Sequence, residues 1–466
     1  MKYLRLIFPL LIGTGLYYSP VPEGLDNSAW HLFSIFIGTI VGIILRPFPM
    51  GAIALFGILA CCLTGVLNIS KDVINGFGSI AVWLVVIVIF ITRGFIKTNL
   101  GPRLAYIFIK LLGKSSLSLG YGIIFLELLM APFIPSNTAR SGGIIFPIVK
   151  AISEALGSRP EDGTEKRIGA YLTQVAYHGN VITSAMFLTA MAANPMIQMF
   201  AAKLEIKISW LLWAKAAIIP GIISIFFLPL VLYFIYPPQI KKLPEAVLWA
   251  EKNLKEMGKL SFHEWVMLST FLIMLILWIV GDGLGIEAAL TALLGVCILL
   301  ALGVLTWDDI LKETEAWHTL FWLSILVIMA VYLEKFGFVG WFSEKISSSV
   351  QGMEWPYGLL ILVLVYFYSH YLFAGNVAHV GAMYSAFLSI AILIGAPPVI
   401  SALILGFFSS LFSSMTHYAT APAAILFGSK YVTLNAWWKC GFIISVVNIF
   451  IWLSTGLSWW KIIALW

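Results

Sequence analysis

The sequence predicts an all-α polytopic membrane protein, with about eleven transmembrane helices plus two re-entrant helical hairpins in two inverted repeats. Three observations lead there. The 466 residues are 61% hydrophobic and only 11% charged, with a mean hydropathy of +0.97, whereas soluble domains carry roughly 25% charged residues. Apolar runs recur from end to end, and the polar stretches 153–167 and 237–262 are each too short for a soluble domain. Two apolar regions are interrupted midway by related polar clusters, "PSNTARSGG" at 135–143 and "AGNVAHVGA" at 374–382.

Continuous apolar segments lie near 6–18, 30–45, 50–68, 80–96, 168–202, 208–236, 264–281, 287–306, 317–333, 397–428 and 437–461. One crossing at each gives the eleven spans. The opening "MKYLRLIFPLLIGTGLYYSPVP" has the basic start and short apolar core of a signal peptide. It lacks a clean small-x-small cleavage site, so a retained first helix is expected. With Lys2 and Arg5 in the cytoplasm, Arg46, Arg93–Lys114, Lys150–Arg167 and Lys241–Lys259 fall on the same side. The loops 69–79, 203–207 and 282–286 carry few basic residues, as the positive-inside rule requires. The expected placement is a cell inner or plasma membrane, N-terminus cytoplasmic and C-terminus outside. The net charge of +6 reflects these loops and does not suggest a nucleic-acid partner. Cys61, Cys62, Cys297 and Cys440 all lie in apolar segments, where they read as small buried hydrophobes with no disulfide framework or metal pair.

The regions 115–150 and 354–396 do not fit as single spans. After Thr138 only about ten apolar residues precede Lys150, roughly 16 Å of helix against a hydrocarbon core of about 30 Å. Both regions are expected as hairpins that enter and leave on one side, with polar tips tolerated only in a protein-enclosed or aqueous cavity. The segment 168–202 has the opposite anomaly, since as one helix it would be about 50 Å long. Its "YHGNVITS" (177–184) and "TAMAANP" (189–195) make poor helix interiors. A helix unwound near the midplane resolves the length.

The two clusters belong to an internal repeat. Asn137 aligns with Asn376, Ala139 with Ala378 and Gly142 with Gly381, at an offset of 239 residues. Trp83 in "VWLVVIVI" aligns with Trp322 in "FWLSILVI" at the same offset. Further on, Thr189 pairs with Thr420 after an eight-residue gap. Five expected crossings separate the copies, an odd number, so the copies are inverted and their tips enter from opposite sides. Such inverted repeats with discontinuous helices are the plan of secondary transporters.

A hairpin tip exposes the N-terminus of its second arm, with unpaired N–H groups and the positive end of the helix dipole. Two opposed tips suit a substrate with a carboxylate at each end. Ser136, Asn137 and Thr138 can supply side-chain donors, although the same residues are good helix caps without any ligand. Together with Gly375-Asn376-Val377 and "MTHYATAP" (415–422), they mark a chain that resembles the divalent anion:sodium symporter family, and more narrowly its 2-oxoglutarate/malate translocator branch. The resemblance covers nearly the whole chain and is most specific at the first S-N-T tip and at Thr416–Gly428.

That resemblance implies an elevator-type transporter, usually a homodimer, carrying dicarboxylates such as malate, succinate, fumarate and 2-oxoglutarate. It divides the chain into N-terminal scaffold helices (1–79), a first repeat (80–236), a cytoplasmic loop (237–262), further scaffold helices (263–316) and a second inverted repeat (317–466). Substrate contacts are expected from Ser136, Asn137, Thr138, Gly375, Asn376, Val377, Thr189 and Thr420. No cofactor or bound metal is expected; sodium enters only under an alternative of sodium- or proton-coupled dicarboxylate or citrate symport.

Sodium-coupled members have S-N-T at both tips, whereas the second tip here reads Gly375-Asn376-Val377 and loses both hydroxyls. Two residues beyond each tip stands a potential cation, Arg140 in the first copy and His379 in the second. Each is expected to replace a coupling cation by neutralising substrate charge in a low-dielectric cavity. For Arg140 the competing interpretation is snorkelling to the interface, for His379 a neutral hydrogen-bonded imidazole. A tethered Arg140 cannot leave with the substrate, so an empty carrier would have to move an uncompensated charge through apolar surroundings. Sodium-independent exchange of one dicarboxylate for another is the expected outcome. Glu127 reads either as a proton relay or as the structural partner of Arg93 or Lys97, and His178, His370 and His417 as hydrogen-bond partners at helix breaks.

An enzyme is not expected. The apolar runs hold no interior aspartate, and H-x-x-x-D, H-E-x-x-H and G-x-S-x-G do not occur. Half-helices meeting at a midplane also build channels, but two differently charged tips and broken helices in both copies favour a carrier.

Overall fold

A chain surrounded by hydrocarbon must satisfy its backbone N–H and C=O groups internally, and the helix does so locally. In a computed structural model describing residues 2–45, 47–350, 354–373 and 375–466, every regular element among the described residues is helical. Arg46 and Ala374, used above for sidedness and for the second tip, lie outside the described residues, as do the side chains of Lys2 and Arg5. Among the described residues, eight helices are long and apolar enough to cross a membrane: Asn27–Leu45, Ile80–Lys97, Trp210–Ile235, Phe262–Gly281, Thr314–Lys335, Trp355–Leu372, Asn376–Leu393 and Leu434–Ile462. Shorter apolar helices include Met50–Leu63, Ser116–Met130, Ala288–Ala301 and Pro398–Ser414.

The helices group into two compact units, each drawn from three stretches of chain: 1–86, 195–208 and 314–409 form one, and 87–194, 209–313 and 410–466 the other. In the first, the helices Lys2–Tyr17 and Asn27–Leu45 meet through glycine. A Cβ on Gly38 would stand 3.2 Å from the Gly13 Cα and from the Pro9 carbonyl oxygen, so a larger residue would push the two helices apart by a few tenths of an ångström. The Tyr332 hydroxyl donates to Asp72 Oδ1 at 2.5 Å, tying the helix Thr314–Lys335 to the short π-helix Ile69–Val73 that follows Met50–Leu63. This unit carries the second tip, between the turn Ser369–Leu372 and the helix Asn376–Leu393.

The second unit is built around the helix Gly169–Met186, all of whose residues are buried although many are polar. The first hairpin packs beside it, with arms Ser116–Met130 and, after the tip, Ala139–Ile145 followed by Phe146–Ala155. The second arm therefore does not stop at Lys150. It runs on to Ala155, about 25 Å of helix against the roughly 16 Å of its apolar part, because Lys150 is exposed and reaches Glu154 one turn later at 3.7 Å. The expected break in 168–202 is present: helix ends at Met186, Phe187 and Met191 are extended, and helix resumes at Ala193. The stretch 237–262 holds a helix of its own, Pro244–Met257, which packs on Leu100–Leu112 through the edge-to-face pair Tyr106–Trp249.

Backbone groups freed by irregularity find side-chain partners. The helix Trp210–Ile235 contains Pro220 and Pro229. Pro220 has no N–H, which orphans the carbonyl of Ala216 one turn earlier. The indole of the fully buried Trp460 donates to that carbonyl at 2.8 Å. Arg103 does the same for a loop end, contacting the carbonyls of Met257, Gly258 and Lys259 while pairing with Glu264 at 2.5 Å. Replacing the donor in Trp460→Phe leaves the Ala216 carbonyl buried and unpaired, a loss of about 1–3 kcal/mol. A lowered unfolding temperature in detergent is expected; an unchanged one would show that the proline is accommodated by other means.

Candidate functional site

The first tip begins where Phe133 and Ile134 fold back onto the Met130 carbonyl. Ser136 then caps the second arm, its Oγ accepting from the Ala139 N–H at 3.1 Å and its carbonyl from Arg140 N at 2.9 Å. The N–H groups of Asn137 and Thr138 precede the first intrahelical acceptor and remain without one. Both residues are half-buried, and no side-chain hydrogen bond engages either. The arm starts as a π-helix, Ala139–Ile145, a distortion that recurs at functional sites.

Arg140 is fully buried. Its Nε donates to Glu127 Oε1 at 2.5 Å, Nη1 to the Ile134 carbonyl at 2.5 Å and the Ala190 carbonyl at 3.0 Å, and Nη2 to Ser184 Oγ at 2.7 Å. Glu127 Oε1 also accepts from Asn180 Nδ2 at 2.6 Å and Thr183 Oγ1 at 3.3 Å. The guanidinium thus joins the tip loop, the first arm and the gap of the broken helix. That gap is closed by the same logic: Asn194 Nδ2 donates to the carbonyls of Ser184 and Phe187, both at 2.9 Å. Thr189 Oγ1 donates to the Pro132 carbonyl at 2.6 Å and accepts from the Trp210 indole at 3.1 Å.

These contacts correct three expectations. Glu127 is partnered by Arg140 and not by Arg93 or Lys97, which sit at the exposed end of Ile80–Lys97 and face Asp309 at 4.0 Å and 2.6 Å. Partial burial would raise the Asp309 carboxyl, but hydrogen bonds from Lys97 and Thr306 outweigh it and hold it down at about 2. Arg140 does not carry an uncompensated charge, because the Glu127 carboxylate lies directly against it. His178 is fully buried at a helix interior, with neither ring nitrogen hydrogen-bonded, and so is no hydrogen-bond partner at the break. His417, by contrast, accepts from the Trp438 indole at 3.2 Å through Nδ1.

The predicted contact residues divide by unit. Ser136, Asn137, Thr138, Arg140 and Thr189 come together around the first tip, and Thr420 caps Ala421–Gly428 in the same unit, accepting from Ala423 N at 3.3 Å. Gly375, Asn376, Val377 and His379 belong to the other unit. Asn376 is buried and donates through Nδ2 to the Ser409 carbonyl at 3.0 Å, so this side chain holds the tip. His379 is buried against His370, Nδ1 to Nδ1 at 3.0 Å. Sequence reasoning missed Asn180, Thr183 and Ser184 as the second half of the Arg140–Glu127 network, and Asn194 as the donor that closes the gap. Their signal was the cluster of polar residues in a stretch already marked as poor helix.

All 466 residues match the family described as the sodium:sulfate symporter transmembrane region. The chain belongs to this family. Among its relatives, the putative malate transporter YflS of Bacillus subtilis is 49% identical over 467 residues, covering 100% of this chain and 98% of that one. Dicarboxylate transporter 1, chloroplastic, of Spinacia oleracea is 47% identical over 464 residues, covering 99% of this chain and 81% of that one. At the level of fold alone, the YdaH transporter of Alcanivorax borkumensis aligns with a TM-score of 0.57 at 12% identity, over 86% and 89% of the two chains. MtrF of Neisseria gonorrhoeae aligns at 0.58 and 12% identity, over 98% and 94%.

The single variants Arg140→Gln and Glu127→Gln each strand a buried charge and are expected to cost about 3–5 kcal/mol. The double variant should recover most of that loss in detergent unfolding. Additive losses would show that the two groups do not depend on each other.

Proposed function

We propose that this chain carries dicarboxylates across a cell membrane, exchanging one for another by alternating access of elevator type as a homodimer. The observation that supports it most is the first tip: two free backbone N–H groups with the Asn137 and Thr138 side chains unengaged, at the start of a buried arm. Such a tip favours an anionic group, and the relatives named as malate and dicarboxylate transporters indicate its class. Gly375, Asn376 and Val377 are proposed as the counterpart contacts for the second carboxylate, with Ser136, Thr189 and Thr420 holding backbone around the site.

The tip itself supports exchange. Empty, the tip would move with unpaired N–H groups and amide donors, which are costly away from water. A bound dianion satisfies them. Loss of the second S-N-T also removes hydroxyls that sodium-coupled members use.

Cation-coupled symport is the second reading, and one observation favours it: with Arg140 neutralised by Glu127, an empty carrier has no excess charge there to hold it back. Proteoliposome uptake separates the two. Labelled malate is expected to enter malate-loaded vesicles at least about tenfold faster than empty ones, without response to a sodium gradient. Equal rates, accelerated by sodium, would replace exchange with symport. Asn137→Ala removes one unengaged amide and is expected to weaken malate affinity about tenfold or more, as loss of a hydrogen bond to a charged group does.

A further inference from the structure

The second unit carries a cavity of about 220 Å³ at the ends of two spans, away from the residues of the first tip. Its walls are Lys166, the end of Trp210–Ile235 with Tyr236, and the first turns of Leu434–Ile451 after Thr433. Two backbone bonds hold the first wall in place. Gln239 N donates to the Lys166 carbonyl and Ile240 N to that of Arg167, both at 3.1 Å. The chain leaving Tyr236 is thereby laid along the turn Glu165–Arg167.

Polarity changes with depth along this cavity. Asn435, Lys439 and Ile443 stand one above another at four-residue spacing on one helix face, about 12 Å from first to last. Thr433, Asn435, Lys439 and Lys166 are exposed and Tyr236 is half-buried, so the polar side chains form the mouth. A helical side chain leans toward the N-terminus of its helix, which carries the Lys439 ammonium up to that mouth. Ile235 and Ile443, inside the two apolar spans, supply an apolar wall.

No carboxylate lines the cavity. Glu165 is near enough to act on the Tyr236 phenol but is not part of the wall. Among the described residues, the side chains of Lys166, Tyr236, Thr433, Asn435 and Lys439 make no hydrogen bond or ion pair with the protein. The helix Leu434–Ile451 has no side-chain cap, so its first-turn N–H groups add to the donors. The carbonyl end of Trp210–Ile235 would by itself attract one cation. The N–H end of Leu434–Ile451 opposes it across the cavity, and the two lysines leave the mouth with an excess of positive charge.

We propose that this cavity binds a phosphate group at the membrane surface. The two ammoniums neutralise it, while the phenol, the amide and the first-turn N–H groups donate to its oxygens. The shape favours the headgroup of an anionic phospholipid, with phosphate at the mouth and the ester and chain along Ile235 and Ile443. Basic pockets between membrane helices on the cytoplasmic side collect acidic headgroups. Lys150–Arg167 and Lys241–Lys259 fall on the side that the positive-inside rule makes cytoplasmic. A bound headgroup bridges the turn Glu165–Arg167, the end of one span and the start of another, all within the unit that carries the first tip. Binding to the folded unit alone stabilises it by mass action.

The test needs no transport and does not depend on the substrate carried. The full chain in detergent is titrated with dioleoyl phosphatidylglycerol, dioleoyl phosphatidylcholine and inorganic phosphate, and read by native mass spectrometry and unfolding temperature. Phosphatidylglycerol is expected to bind at least about tenfold tighter than phosphatidylcholine, the scale of one hydrogen bond to a charged group, and to raise the unfolding temperature. Lys166→Gln with Lys439→Gln should erase that preference, and arginine at both positions should keep it. Lys255→Gln with Lys259→Gln removes two exposed charges from the same expected side and should leave it unchanged. Equal loss in both glutamine pairs would reduce the effect to diffuse surface charge and overturn the site. A preference that survives loss of Lys166 and Lys439 would do the same. Lysine-dependent binding of inorganic phosphate without any lipid preference would keep the phosphate site and move its source from the membrane to solution. An unaltered chain that responds to neither phosphate nor the acidic lipid would overturn the proposal outright.

Discussion

The ion pair of Arg140 and Glu127 is the constraint on which the first tip depends. An arginine without solvent must place its donors on acceptors or it cannot stay charged and buried. Here one side chain reaches a carboxylate, a hydroxyl and two backbone carbonyls. Those carbonyls belong to the tip loop (Ile134) and to the end of the one-turn 3-10 helix Leu188–Ala190 (Ala190), outside any α-helical ladder. The guanidinium is therefore both charge partner and backbone cap, tying the tip to the gap in the broken helix.

The same demand explains three buried tryptophans. Trp213, Trp452 and Trp460 are fully buried, and their indoles donate to Ala185 O, Ser224 Oγ and Ala216 O. Each couples a large apolar surface to one polar donor, aimed where a helix ends, contains serine or meets proline. Discontinuous helices become affordable inside the bilayer only because such donors stand ready.

The two tips meet their charge requirements in different ways. At the first, a fixed cation is balanced by a fixed anion, and the anion-seeking groups are backbone N–H and neutral amide. At the second, 375–379 carries no arginine or lysine, and His379 meets His370 Nδ1 to Nδ1 at 3.0 Å.

Much of this was legible in the residues. Composition and hydropathy determined a helical membrane protein; the repeat at a constant offset located both tips; and the excess length of 168–202 located the break. The family, too, followed from the S-N-T tip and the stretch after Thr416. Only the tertiary structure decided who partners whom. Glu127 and Arg140 are thirteen positions apart, and the sequence equally offered Arg93 and Lys97. Whether Ser136, Thr189 and Asn376 present their side chains or engage them with backbone depends on carbonyls left over by breaks in the helices. Hydrophobicity is a property of each segment, so it can be read along the chain. Pairing of buried polar groups depends on which segments are brought within three ångströms, and that exists only in the folded molecule.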